Sequence, residues 1–137
     1  MMRKSEHDEA VIFVDYLNII QARYGILFTH LNQETPAVSF GGHKIGKDGK
    51  KKAIWNKNWA TIRKMKQEGV KAGFPDYIIV IPKLGILAIE LKAVDGHASK
   101  EQIEWIEAIN SINNAQGKIC YGADEAIAFV KQILLIA

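Results

Sequence analysis

The sequence has a single cysteine, no long apolar run and no internal repeat. With Cys120 alone, no intramolecular disulfide can form, which suits a reducing compartment. No stretch reaches the roughly 18 apolar residues of a membrane-spanning helix. Met1-Met2-Arg3-Lys4 is not followed by the apolar core of a signal peptide, so the expectation is a cytoplasmic protein. Low-complexity tracts are also missing. What remains is an ordinary globular composition, 48% apolar and 24% charged over 137 residues. That length fits one domain, residues 1–137, with room for a core.

Net charge is small, +3, but unevenly spread. Residues 41–72 hold ten Lys/Arg and two acids, a net of +8, and the rest of the chain nets −5. A basic third on a mildly acidic body points to a polyanion, with nucleic acid first among the candidates. A solvated lysine-rich loop would read the same way. Residues 35–52 show little periodicity and several glycines among the lysines, and are expected to be a flexible basic loop. Lys44, Lys47, Lys50, Lys51 and Lys52 on this loop are candidate phosphate contacts. So are Lys57, Arg63 and Lys64 on the helix expected over residues 53–68. Trp55, Trp59, Ile62 and Met65 form a stripe on that helix, a pattern more typical of core than of base stacking.

The remaining elements follow from pattern. Ser5 and Asp8 have capping-box spacing at the head of a helix over residues 5–23, in which Glu6, Ala10, Phe13 and Leu17 share a face. Residues 25–31 form a strand. A second capping box, Ser99 with Gln102, opens a helix over residues 99–110, and by itself explains Gln102. A short strand, 118–121, and a last helix, 124–134, complete an α-β-α-β-β-α-β-α order.

The centre of the chain is Gly73-Phe74-Pro75-Asp76 through Glu90-Leu91-Lys92. Runs 77–81 and 86–91 are apolar on both faces, as buried strands are. They flank Pro82-Lys83-Leu84-Gly85, a hairpin turn by composition. A three-residue loop over 83–85 pairs Pro82 with Ile86 and places Asp76 opposite Lys92. Asp76, Glu90 and Lys92 then share one face, whereas a two-residue loop would separate Asp76 from the others. Gly85 suits the left-handed last position of the three-residue loop, so that loop, or an equivalent bulge, is expected. Two carboxylates and a lysine at a strand end can hold a hard cation such as Mg²⁺, which takes one or two carboxylates plus substrate phosphate. The bland alternative is a Glu90–Lys92 ion pair beside a turn aspartate.

Pro75-Asp76 followed by Glu90-Leu91-Lys92 resembles the PD-(D/E)xK nuclease signature. More narrowly, the run from Gly69 to Asp76, then Ile89 to Lys92, then Ser99, Gln102 and Trp105 resembles the virus-type replication-repair nuclease (VRR-NUC) domain. The resemblance implies an α/β, restriction-endonuclease-like fold with a mixed central sheet flanked by helices. It implies a Mg²⁺- or Mn²⁺-dependent DNA endonuclease. Asp76, Glu90 and the Leu91 carbonyl would be metal ligands, Lys92 would orient or activate the attacking water, and Glu6 and Gln102 would complete the site. Whether Glu6 or Glu9 faces the site stays open, because the family's following Gln is Ala10 here. His30-Leu31-Asn32-Gln33-Glu34 looks like the family's H-x-x-N-E segment, which makes Asn32 a candidate nucleic-acid contact and His30 a weaker candidate for catalysis. Small members resemble Holliday-junction resolvases, which act as homodimers on branched DNA. A catalytically inactive nucleic-acid-binding module on the same fold is the alternative.

Overall fold

Helix α1, Glu6–Tyr24, opens on the expected capping box: the Asp8 amide donates to Ser5 Oγ and the Ser5 amide to Asp8 Oδ2. In this computed structural model, residues 2–31, 40–55 and 59–135 are described. The chain falls into two compact units, residues 1–32 with 72–137, and residues 33–71. Among the described residues no helix is long and apolar enough to cross a membrane.

The first unit is built on a four-stranded sheet. Its strands are β1 (Leu27–His30), β4 (Tyr77–Ile81), β5 (Gly85–Lys92) and β6 (Ala115–Tyr121), in the order β1-β4-β5-β6. β4 is antiparallel to both β1 and β5, whereas β6 runs parallel to β5. The parallel step is made through helix α3, Lys100–Asn110, as a crossover connection requires. Helix α4, Ala123–Leu134, follows β6 directly. The sheet is mixed and helix-flanked, the restriction-endonuclease-like arrangement.

Alternation along the strands assigns the two faces. Tyr77, Ile79 and Ile81 of β4 and Leu87, Ile89 and Leu91 of β5 join Phe13, Leu17 and Val130 in one buried cluster with α1 and α4. Full burial of each large apolar side chain is worth about 1.5–3 kcal/mol. Cys120 lies in the same cluster, as its setting in the sequence implied, and burial pushes its thiol up to about 12. On the other face, α3 packs on β6, where a Cβ at Gly117 would meet Ile106 and Ile109. Ile103, one turn before Ile106 on the same helix, is exposed.

The β4–β5 turn has three residues, as expected, but one position earlier. Ile81 pairs with Gly85, and Pro82–Lys83–Leu84 form the loop. The Leu84 amide donates to the Ile81 carbonyl, and Lys83 takes the left-handed position at φ 70°. Gly85 is not the turn's left-handed residue. It is needed because a Cβ there would collide with the Asn114 carbonyl. Since both loops are odd, the parity of the strands, and hence the faces, is unchanged.

The second unit corrects the expected loop. Residues 40–55 form an antiparallel hairpin of β2 (Phe40–Ile45) and β3 (Lys51–Trp55), with a register irregularity between Phe40 and His43. Helix α2 spans Trp59–Gln67, so Trp55 lies on a strand and not in the helical stripe. Trp59 is exposed, and Ile62 and Met65 are half-buried.

Candidate active site

β5 ends in Glu90-Leu91-Lys92, and β4 begins one residue after Asp76. Because Ile78 pairs with Ala88, Asp76 and Glu90 lie two residues beyond that pair on the same face, and Lys92 two further. Asp76 lies across from Glu90 in the observed register, not across from Lys92 as the later turn would have put it. This is the face that α3 covers.

Asp76 is held at both ends. Its carbonyl accepts from the Leu31 amide at 2.6 Å, and its Oδ2 accepts from the Leu91 amide at 3.1 Å. Pro75 in front of it is fully buried. The approach segment is clamped on α3: Trp105 Nε1 donates to the Ala72 carbonyl at 3.0 Å, and its ring stands edge-on to Phe74 at 5.0 Å. Gly73 allows this contact, since a Cβ there would come within 2.6 Å of the Glu101 backbone.

Glu90 is 3% exposed, an uncommon place for a carboxylate. Its Oε1 accepts from Gln102 Nε2 at 2.6 Å and lies 3.3 Å from the Lys92 ammonium. Its Oε2 is buried without a hydrogen-bond partner. Gln102 serves two roles with one amide. Its Oε1 accepts from the Ser99 amide in the capping box, which turns Nε2 toward Glu90. The cap is therefore real and does not exhaust what Gln102 does.

The electrostatics follow from burial. Desolvation pushes Glu90 up to about 7, reinforced by the Asp76 charge and opposed by Lys92. Asp76 is also raised, first by desolvation and then by Glu6, against the Leu91 amide, His30 and Lys92. Glu6 itself is exposed at the start of α1, near enough for its charge to act on Asp76 and Tyr77. Glu9 points elsewhere, with its Oε2 accepting from the Ala123 amide at 2.6 Å. His30 pairs with Tyr77 across β1 and β4, with ring centroids 4.8 Å apart. Among the described residues no group of three or more His, Cys, Asp and Glu side chains is gathered to hold a metal ion. The carboxylates available at the strand ends are Asp76 and Glu90.

In the second unit, Lys44 of β2 is directly opposite Lys52 of β3, and Lys51 opposite Ile45. Lys44, Lys47, Lys50, Lys51 and Lys52 are all exposed on this hairpin, as are Arg63 and Lys64 on α2. Asn32 and Lys57 lie outside the described residues.

The VRR-NUC domain profile matches residues 19–124, which include the Asp76, Glu90, Lys92 and Gln102 positions. The chain belongs to the VRR-NUC family. A solved structure of a VRR_NUC domain protein has the same fold, with a TM-score of 0.66 at 19% identity, over 99% of this chain and 93% of that one. No curated protein matches. VRR-NUC is a nuclease-type family, and Glu6 and Glu9 precede the matched residues.

Sequence reasoning missed the role of Glu9. Its only local signal is an acid on the buried face of α1, at position i+3 from Glu6 and i−4 from Phe13. The donor it binds is 114 residues away, so no local spacing could reveal it.

Proposed function

We propose that this VRR-NUC protein is a DNA endonuclease that hydrolyses phosphodiester bonds with Mg²⁺ or Mn²⁺. The observation that carries this reading is Glu90, a buried carboxylate with one oxygen held by Gln102 and Lys92 and the other unpartnered. A buried unpartnered carboxylate oxygen beside a second carboxylate suits a hard cation, and two protein carboxylates suit an ion that retains waters and takes substrate phosphate. Asp76 and Glu90 would hold it, with the Leu91 carbonyl as a further oxygen. When bound, such an ion supplies a more acidic water and offsets charge at the phosphoryl group.

The chain's own residues do the rest. The Leu91 amide fixes Asp76, and Gln102 fixes Glu90, so neither carboxylate must reorganise during reaction. Lys92 offsets charge at Glu90 and orients or activates the attacking water. Glu6 adds a negative charge beside Asp76. The exposed lysines of the β2–β3 hairpin, with Arg63 and Lys64, supply sequence-independent attraction to DNA phosphates; Asn32 and Lys57 are proposed to join them. By family resemblance the preferred substrate is branched or junction DNA in replication, repair or recombination, and the acting species is a homodimer. The complete Asp76–Glu90–Lys92 set favours an enzyme over an inactive binding module.

Two measurements test this. Calorimetry with Mn²⁺ or Mg²⁺ is expected to find a site that Asp76→Ala removes. Labelled flap, fork, junction and duplex DNAs, with and without Mn²⁺, are expected to show metal-dependent cutting. DNA binding without cutting of any substrate would make the protein a binding module.

A further inference from the structure

We propose that Glu9 is a positioning residue, holding the Lys92 end of the site through the first turn of α4. Helix α4 starts without a side-chain cap of its own, because its N-cap residue is Gly122. The Ala123 amide is satisfied instead by Glu9 Oε2 at 2.6 Å, from a side chain only 5% exposed. A carboxylate at a helix N-terminus is favoured by the helix dipole and makes a charge-assisted bond. The residue before Ala123 grips the site: the Gly122 amide donates to the Lys92 carbonyl at 2.8 Å. Tyr121, one residue earlier, is the parallel partner of Lys92. A Cβ added to Gly122 would lie 3.0 Å from Val94 Cγ2 and 3.6 Å from Glu9 Oε2. The corner between β6 and α4 is thus wedged between the strand exit after Lys92 and the Glu9 carboxylate.

The same helix carries Glu6 one turn earlier, where its charge acts on Asp76. Glu9 therefore ties the first turns of α1 and α4 together beside the strand exit after Lys92. Removing its acceptor leaves the Ala123 amide buried and unpaired, loosens the Gly122–Lys92 bond, and frees the Lys92 ammonium from its 3.3 Å station at Glu90. The bond needs an acceptor at that reach, not a negative charge. Glutamine can supply it, whereas aspartate, one methylene shorter, cannot.

The effect on rate rests on the nuclease reading, but the hold on Lys92 does not, and the test separates them. Amide exchange at Gly122 and Ala123 and single-turnover cleavage at saturating DNA are measured for wild type, Glu9→Gln, Glu9→Asp and Glu9→Leu. Glu9→Leu and Glu9→Asp are expected to speed exchange at both amides by about tenfold or more, with amides of the β4–β5 core unchanged. They should also slow cleavage by about tenfold or more, with DNA affinity within about threefold. Glu9→Gln is expected to stay within about threefold of wild type in both readouts. A merely structural role would lower the melting temperature without changing the rate of the folded protein. Should Glu9→Leu fail to fold, the order of Gln above Asp decides. Equal protection at Gly122 in all folded variants, or Asp matching or exceeding Gln, overturns the proposal. If wild type cuts no DNA, the nuclease reading fails, and exchange at Gly122 still decides whether Glu9 holds the Lys92 strand.

Discussion

Glu90 should make the metal-free protein less stable as pH rises, and its removal should abolish that loss. Its carboxyl is raised from an ordinary 4.5 to about 7, chiefly by burial. A carboxyl whose folded-state value lies above its unfolded value binds more protons when folded, so stability falls with pH between the two values. The loss begins near pH 4.5, is complete a little above pH 7, and then levels off. The rise from 4.5 to about 7, at 1.36 kcal/mol per pH unit, corresponds to about 3 kcal/mol. Asp76, also raised, adds in the same direction. For a chain of this size that is on the order of 10 °C in melting temperature. The perturbation is Glu90→Gln, which keeps the shape and an acceptor for Gln102 and removes the charge. The assay is thermal or urea unfolding in EDTA from pH 4.5 to 8.5. Glu90→Gln should match wild type near pH 4.5 and exceed it at pH 8. Added Mg²⁺ or Mn²⁺ should restore much of the wild type's stability at pH 8, because binding to the folded state offsets the buried charge. Calorimetry at pH 7 in buffers of different ionisation enthalpy should show proton release on cation binding, since the proposed metal site needs Glu90 ionised. Parallel pH profiles for wild type and Glu90→Gln in EDTA would refute the reasoning.

Two more predictions concern the same site and one the β2–β3 hairpin. Lys92→Ala should lower cleavage by about a hundredfold or more while leaving DNA affinity nearly unchanged, because the role proposed for the lysine is exerted in the transition state; a well-folded Lys92→Met variant that cuts normally would make Lys92 an ion-pair partner of Glu90 only. Gln102→Glu should keep the α3 capping box, for which glutamate is equally suited, yet set a carboxylate against Glu90 where a donor stood; helicity unchanged with cleavage and metal affinity reduced about tenfold or more is the expected outcome, and full activity would show that the amide matters only to the cap. Replacing Lys50, Lys51 and Lys52 together by Ala should weaken DNA binding equally across sequences and flatten the slope of log K against log salt by about 0.9 for each phosphate no longer neutralised, with little change in single-turnover rate; unchanged affinity at low salt would assign these lysines to solvent.

The sequence by itself determined a good deal, because its strongest signals are local. Capping at Ser5 and Ser99 is written within four residues, and the structure has both boxes. The apolar runs on either side of Pro82 specify two strands, buried along their core face, although Val80 and Ile86 on the other face are exposed, not buried as their apolar character implied. An odd turn then puts Asp76, Glu90 and Lys92 on one face whichever three residues form it. The β2–β3 hairpin was not legible in this way. Gly42, Lys44, Lys51 and Lys52 are poor strand formers without alternation, and the backbone ladder that pairs them leaves no pattern in side-chain identity. Gly85 looked like a turn residue, yet the Asn114 carbonyl approaching from another loop is what forbids a side chain there. The choice between Glu6 and Glu9 was likewise tertiary. Both lie on the first turns of one helix, and only the packing of α4 beside α1 gives Glu9 the Ala123 amide and leaves Glu6 beside Asp76. The ionisation of Glu90 belongs to the same class: its residue type and spacing are in the sequence, but the burial that lifts it to about 7 comes from α3 and the strands closing around it.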